Sequence, residues 1–171
     1  SEMCIRDSSA GVQPQVFAEI SANLMAFEGF RQKKGKGSVG FGLHENSGMP
    51  VPDQVSVQDA VGMLKTSLEK QYIPNVKKQM QQYGINQDPD ALKVLVDLNY
   101  HGGNGSSEPV AKAMQDYREA VLNPLQSDYP TGGGGAEAGA WLALRKQPAY
   151  KEAQPARKRY LEENLRDWMY S

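Results

Sequence analysis

Apolar residues near the start of the chain recur at helical spacing. Phe17, Ile20, Leu24 and Phe27 lie three and four positions apart with Pro14 ahead of them, which predicts one buried stripe on a helix over 15–28. Residues 29–55 abandon that period. Six glycines, two prolines and short alternating runs such as Ser38-Val39-Gly40-Phe41 predict a small twisted β-ribbon. Ser56 followed by Asp59 reads as a capping box, with Val57, Val61, Leu64, Leu68 and Tyr72 behind it at helical spacing, so a second helix is expected to about Tyr72. Pro74 should kink or restart it, with a polar helical continuation over 75–83 that ends at Gly84.

Asp88-Pro89 is a helix start, with Asp as the cap and Pro at the first helical position. The segment 90–101 that follows carries Ala91, Leu92, Val94, Leu95, Val96 and Leu98 on nearly every side, the composition of a central helix surrounded by others. The run Gly102-Gly103-Asn104-Gly105 ends it and Ser107 can cap the next helix, expected over 109–122 with Val110, Met114, Tyr117 and Val121 inward. The glycine run at 132–135 reads as a loop. Two more helices are expected, at 136–146 with Trp141, Leu142 and Leu144, and at 149–170. Met25, Met63, Met80 and Met114 fall on apolar stripes and read as core filler. Asp97 shares a helix face with Lys93, so a solvated ion pair is the expectation there.

Composition narrows the classes. A length of 171 residues suits one domain with one core, placed at 13–171, with 1–12 read as a disordered or non-native tail. Nineteen basic against twenty acidic residues leave a net charge of -1, which argues against a dedicated nucleic-acid binder. The single cysteine, Cys4, rules out an intrachain disulfide and a cysteine zinc cluster. No metal or organic cofactor is expected. No apolar run approaches the roughly 18 residues that cross a bilayer, so the expectation is a soluble protein without stable membrane insertion, and a monomer is expected.

The candidate chemistry gathers where the first helix runs into the ribbon. Glu28 closes that helix, backed by Phe27 and Phe30 and facing a glycine-rich strand, a setting in which a carboxyl can serve as a general acid. Arg31, Lys33, Lys34 and Lys36 form a basic patch beside it, suited to a polyanionic polymer.

Phe27-Glu28-Gly29 and then Ser38-Val39-Gly40-Phe41-Gly42-Leu43-His44 resemble the phage-type lysozymes, family 24 of the glycoside hydrolases. In that family a catalytic Glu before Gly ends a helix, a ribbon carries Thr-Ile-Gly-Tyr/Ile-Gly-His, and a helix-rich lobe surrounds a long apolar helix. Ser stands here for Thr, and one residue is inserted before His. Val55 to Leu68 is similar to the helix after the ribbon, Ala91-Leu92 through Asn99-Tyr100-His101-Gly102 to the central helix, and Trp141 to Leu161 to the closing Arg-rich helices. The resemblance covers most of the chain from about residue 13, and its specific part is Glu28 to His44.

The resemblance implies an α+β, predominantly α-helical, lysozyme-like fold, with a small β-ribbon lobe, a helical lobe around the apolar helix and a cleft between them. It implies a muramidase cutting the β-1,4 bond between N-acetylmuramic acid and N-acetylglucosamine, with bacterial peptidoglycan as partner and action on the cell wall, reached through membrane lesions, aboard a virion or by secretion. Glu28 would be the general acid and Ser38 would orient a water or a sugar hydroxyl. Phe30, His44, Glu45, Asn99 and His101 would meet the substrate. Residues 29–37 hold no carboxylate and no cysteine, where the family places an Asp or Cys on its ribbon. Glu45, the nearest later carboxylate, is the substitute for a second group about 5 to 9 Å away. A single-Glu lytic transglycosylase and a wall-binding or virion structural module that has lost turnover stay open beside hydrolysis.

Overall fold

The computed structural model describes residues 10–125 and 133–171. Residues 1–9 of the expected tail, with Cys4, and Gly132 of the expected glycine loop lie outside the described residues. The architecture is α+β and mainly helical, with one small antiparallel sheet. Where the sequence suggested one core, the chain divides into two compact units, Ser1–Pro74 and Asn75–Ser171.

The first unit begins with α1 (Pro14–Glu28), whose stripe Phe17, Ile20 and Leu24 is buried, while Phe27 is only half-buried. Val12, assigned above to the tail, is 4% exposed and belongs to this core. Gly29, at φ +70, ends the helix by donating its N–H to the Met25 carbonyl. Three strands follow, β1 (Arg31–Gly35), β2 (Ser38–Gly40) and β3 (Leu43–His44), paired antiparallel in that order. Ser38 faces His44 and Val39 faces Leu43. Backbone bonds from Lys34 N–H to the Asp53 carbonyl and from Val55 N–H to the Gln32 carbonyl cover the outer edge of β1, which would otherwise offer unpaired groups. Val39, Phe41 and Leu43 are buried, and β2 packs on α2 (Val57–Ser67). The approach is close, since a Cβ on Gly40 would stand 3.1 Å from the Cβ of Ala60.

The β1–β2 turn carries Lys36 at φ +53 and Gly37 at φ +81, two left-handed residues in succession, as the tightest hairpins require. Lysine is strained there. Lys36→Asn should therefore stabilise the first unit by about 0.5–1 kcal/mol, read as a higher melting temperature with unchanged far-UV circular dichroism.

Ser56 caps α2 by accepting from the Asp59 N–H at 3.1 Å, as its spacing predicts. Val57 is nonetheless 52% exposed, because at the first helical position it precedes the buried face set by Ala60, Leu64 and Ser67. The restart expected at Pro74 is a π-helical turn, Leu68–Tyr72, in which Ile73 N–H reaches back to the Leu68 carbonyl. The widened turn accommodates a proline that lacks a donor and crowds the preceding carbonyl.

From α3 (Ile73–Gln82) the chain enters the second unit, built around α4 (Pro89–Gly102). Asp88 caps α4 through the N–H groups of Asp90 and Ala91 at 2.8 and 3.3 Å. Its buried residues run from Ala91 to Tyr100 with one interruption at Lys93, as expected of a central helix. It packs on α5 (Asn104–Leu122) and α8 (Pro155–Met169), and α5 packs on α6 (Gly133–Lys146).

Several boundaries differ from the sequence reading. α5 starts five residues before Pro109 and keeps that proline in its second turn, giving up the bond that a residue there would donate to the Gly105 carbonyl. α6 begins inside the glycine run. The last helix is two, α7 (Pro148–Lys151) and α8, because Pro155 takes the first helical position of a new one. Val121 is 46% exposed and Leu142 54%. Met80 and Met114 are wholly buried, whereas Met25 and Met63 are only partly so.

Asp97 is the largest correction. It is 2% exposed, and its two carboxylate oxygens accept from Arg157 Nε at 3.0 and 3.2 Å. The expected solvated pair is a buried ion pair between α4 and α8.

Candidate active site

Glu28 is the last residue of α1, and Gly29 in the left-handed region turns the chain directly into β1. The half-buried Glu28 side chain lies against the β2–β3 turn. There Gly42 has φ +79, and a Cβ built on it would stand 2.7 Å from Glu28 Oε2 and 3.0 Å from its Cδ. Position 42 thus needs glycine twice, for its backbone angle and for the carboxyl group beside it. Phe30 is 40% exposed and tilts against buried Phe41, ring centroids 5.7 Å apart. Phe30, two residues beyond Glu28, thus presents part of its ring to solvent. Sequence reasoning left Gly42 out of the site, although the Gly-x-Gly spacing at 40–42, both glycines at positive φ, carried the signal.

The other ribbon candidates sit at the opposite end of β2. Ser38 Oγ donates to the Gly35 carbonyl at 3.3 Å, closing the β1–β2 turn. Glu45 N–H donates to the Gly37 carbonyl at 2.9 Å, and a Cβ on Gly37 would meet His44 Nε2 at 3.1 Å and Glu45 Oε2 at 3.7 Å. Three strand residues, roughly 10 Å, separate this turn from the one that holds Glu28. Ser38, His44 and Glu45 are close together, then, but they gather at the hairpin tip rather than around the proposed acid.

Glu45 also has a partner of its own. Lys34 Nζ lies 2.7 Å from Glu45 Oε1 and 3.5 Å from Asp53 Oδ1. The hydrogen bond from Lys34, and then its charge, hold the Glu45 carboxyl below its ordinary pKa, while the bond to Glu45 raises that of Lys34. A carboxylate so held is poorly suited to keep a proton. The lowered Glu45 value means that its contribution to ribbon stability is present above the unfolded-state carboxylate pKa and is lost as pH falls through the folded one. The raised Lys34 value gives the alkaline counterpart, lost as pH rises through the folded lysine pKa. A pH titration of the Gly37 and Glu45 amide NMR signals should show an acid transition that Glu45→Gln abolishes.

The basic patch is partly committed as well. Arg31 Nη1 donates to the Gly35 carbonyl at 2.9 Å, and Lys34 is in the ion pairs above. Lys33 and Lys36 are exposed.

In the second unit, Asn99 is wholly buried, its Nδ2 donating to Asn104 Oδ1 at 2.8 Å and to Ser107 Oγ at 3.0 Å. That leaves it no face for a ligand arriving from solvent, contrary to the groove-lining role expected above. The side chain of His101 is about one-third exposed, with Nε2 3.4 Å from Glu152 Oε2. Among the described residues no group of three or more His, Cys, Asp or Glu side chains could hold a metal ion, and no helix is long and apolar enough to cross a membrane.

The chain matches no protein-family model, no curated protein and no solved structure.

Proposed function

We propose that this protein cleaves the glycan strands of bacterial peptidoglycan at the β-1,4 bond between N-acetylmuramic acid and N-acetylglucosamine, with Glu28 as the general acid. The observation that supports the reading most is the seating of the Glu28 carboxyl against Gly42. It brings together the helix end and the glycine ribbon that the resemblance to phage-type lysozymes pairs. In this reading Glu28 protonates the glycosidic oxygen as the bond to the muramyl C1 breaks, and Phe30 gives the sugar an apolar edge to lie on.

A second reading is favoured by the state of Glu45. Hydrolysis in the two-carboxylate manner needs a partner for Glu28, and Glu45 is ion-paired to Lys34 at the other end of β2. Without that partner the substrate can complete the reaction. Its own C6 hydroxyl attacks C1, Glu28 takes the hydroxyl proton, and an anhydro sugar end replaces the reducing end. The wall-binding module is the remaining alternative.

Turbidity and sedimentation together separate these classes. An enzyme clears a suspension of bacterial cell walls, whereas a binding module sediments with the walls and leaves them turbid; the second result would replace catalysis with binding as the function.

A further inference from the structure

Asn104-Gly105 is the only Asn-Gly step in the sequence, and it opens α5. The Asn104 side-chain oxygen accepts two amide hydrogen bonds, from Asn99 Nδ2 at 2.8 Å and from Gln79 Nε2 at 3.2 Å. Both donors are held by the core, Asn99 wholly buried and Gln79 6% exposed. Ser107 fixes them further, donating to Gln79 Oε1 at 2.7 Å and accepting from Asn99 Nδ2 at 3.0 Å. Two preorganised N–H groups on one carbonyl oxygen are the arrangement that stabilises a developing oxyanion.

The neighbouring backbone is lightly restrained at the helix start. Gly105 is the second residue of α5, where an N–H has no intrahelical carbonyl, and among the described residues it has no backbone acceptor. Glycines at 102, 103 and 105 leave this segment little side-chain restraint on φ and ψ. Its first turn has neither a side-chain cap nor an acidic residue. Asn104 itself is exposed to water.

We propose that Asn104 is a self-modification site, converted through a cyclic imide to aspartate and isoaspartate with water as the only co-reactant. The Gly105 nitrogen attacks Asn104 Cγ and gives its proton to solvent, and the oxyanion forms at Oδ1 under the Asn99 and Gln79 donors. The Cγ–Nδ2 bond then breaks and nitrogen leaves as ammonia. Water opens the imide at either carbonyl. Opening to aspartate keeps both accepted bonds and places a negative charge in the first turn of α5, where the helix dipole favours it. Opening to isoaspartate inserts a methylene into the backbone and undoes that turn.

The test needs no glycan substrate, so it is independent of the Glu28 reading. The full chain is incubated at neutral pH, folded and in urea, and digested for peptide mapping by mass spectrometry. The folded chain should convert Asn104 at least as fast as the unfolded chain, while the other asparagines are protected by folding. Gln79→Met, checked by circular dichroism, should slow the folded rate by about 10²-fold through loss of one oxyanion donor and leave the unfolded rate unchanged. Gly105→Ala, whose added Cβ meets nothing within 4 Å, should slow conversion in both states. Folding that protects Asn104, or a Gln79→Met rate equal to wild type in the folded chain, would overturn the proposal.

Discussion

Glu28→Gln should lower the rate of peptidoglycan cleavage by about 10³-fold, the range expected when a positioned proton donor is removed, equivalent to about 4 kcal/mol of transition-state stabilisation. Glutamine keeps the length and shape that fit against Gly42 but cannot protonate a leaving oxygen. The melting temperature should stay near wild type and the variant should still sediment with cell walls. That combination separates lost chemistry from lost folding or lost binding. Gly42→Ala tests the same contact from the other side, since its methyl group would both strain a φ of +79 and press on the carboxyl.

Asp97→Ala should destabilise the second unit by about 3–5 kcal/mol, because it leaves the Arg157 guanidinium, 6% exposed, without the carboxylate it meets at 3.0 Å. Against a typical domain stability of about 5–15 kcal/mol, this is enough to bring unfolding near ambient temperature. Replacing both partners, Asp97→Leu with Arg157→Met, should recover most of the loss, since two apolar groups of similar volume leave no buried charge behind. Urea denaturation of the single and double variants gives the comparison. A single variant as stable as wild type would mean that water or another group compensates the arginine.

The helical parts of the fold were legible because their signals are local. Asp88-Pro89 and Ser56 with Asp59 announced two helix starts, and the all-round apolar character of Ala91 to Leu98 announced the helix that others surround. Pro155 was an equally local signal that the expected long last helix overrode. The Asp97–Arg157 pair was not legible, since it joins residues sixty positions apart, while the nearer Lys93 satisfied the helical spacing rule. Within the candidate site, the helix-end position of Glu28 and the glycine ribbon could be read directly. The separation of Ser38, His44 and Glu45 from Glu28 could not, because it depends on strand register. Pairing Ser38 with His44 carries residues adjacent in the motif to the far end of β2.

The central claim is that the carboxyl seated against Gly42 breaks a glycosidic bond, and mass analysis of the glycan ends released from purified peptidoglycan tests it most directly. Wild type should produce new ends at the muramyl C1, reducing for hydrolysis or anhydro for the intramolecular route, and Glu28→Gln should produce almost none. A polymer left intact by wild type, or cut only at its peptide bonds, would contradict the account.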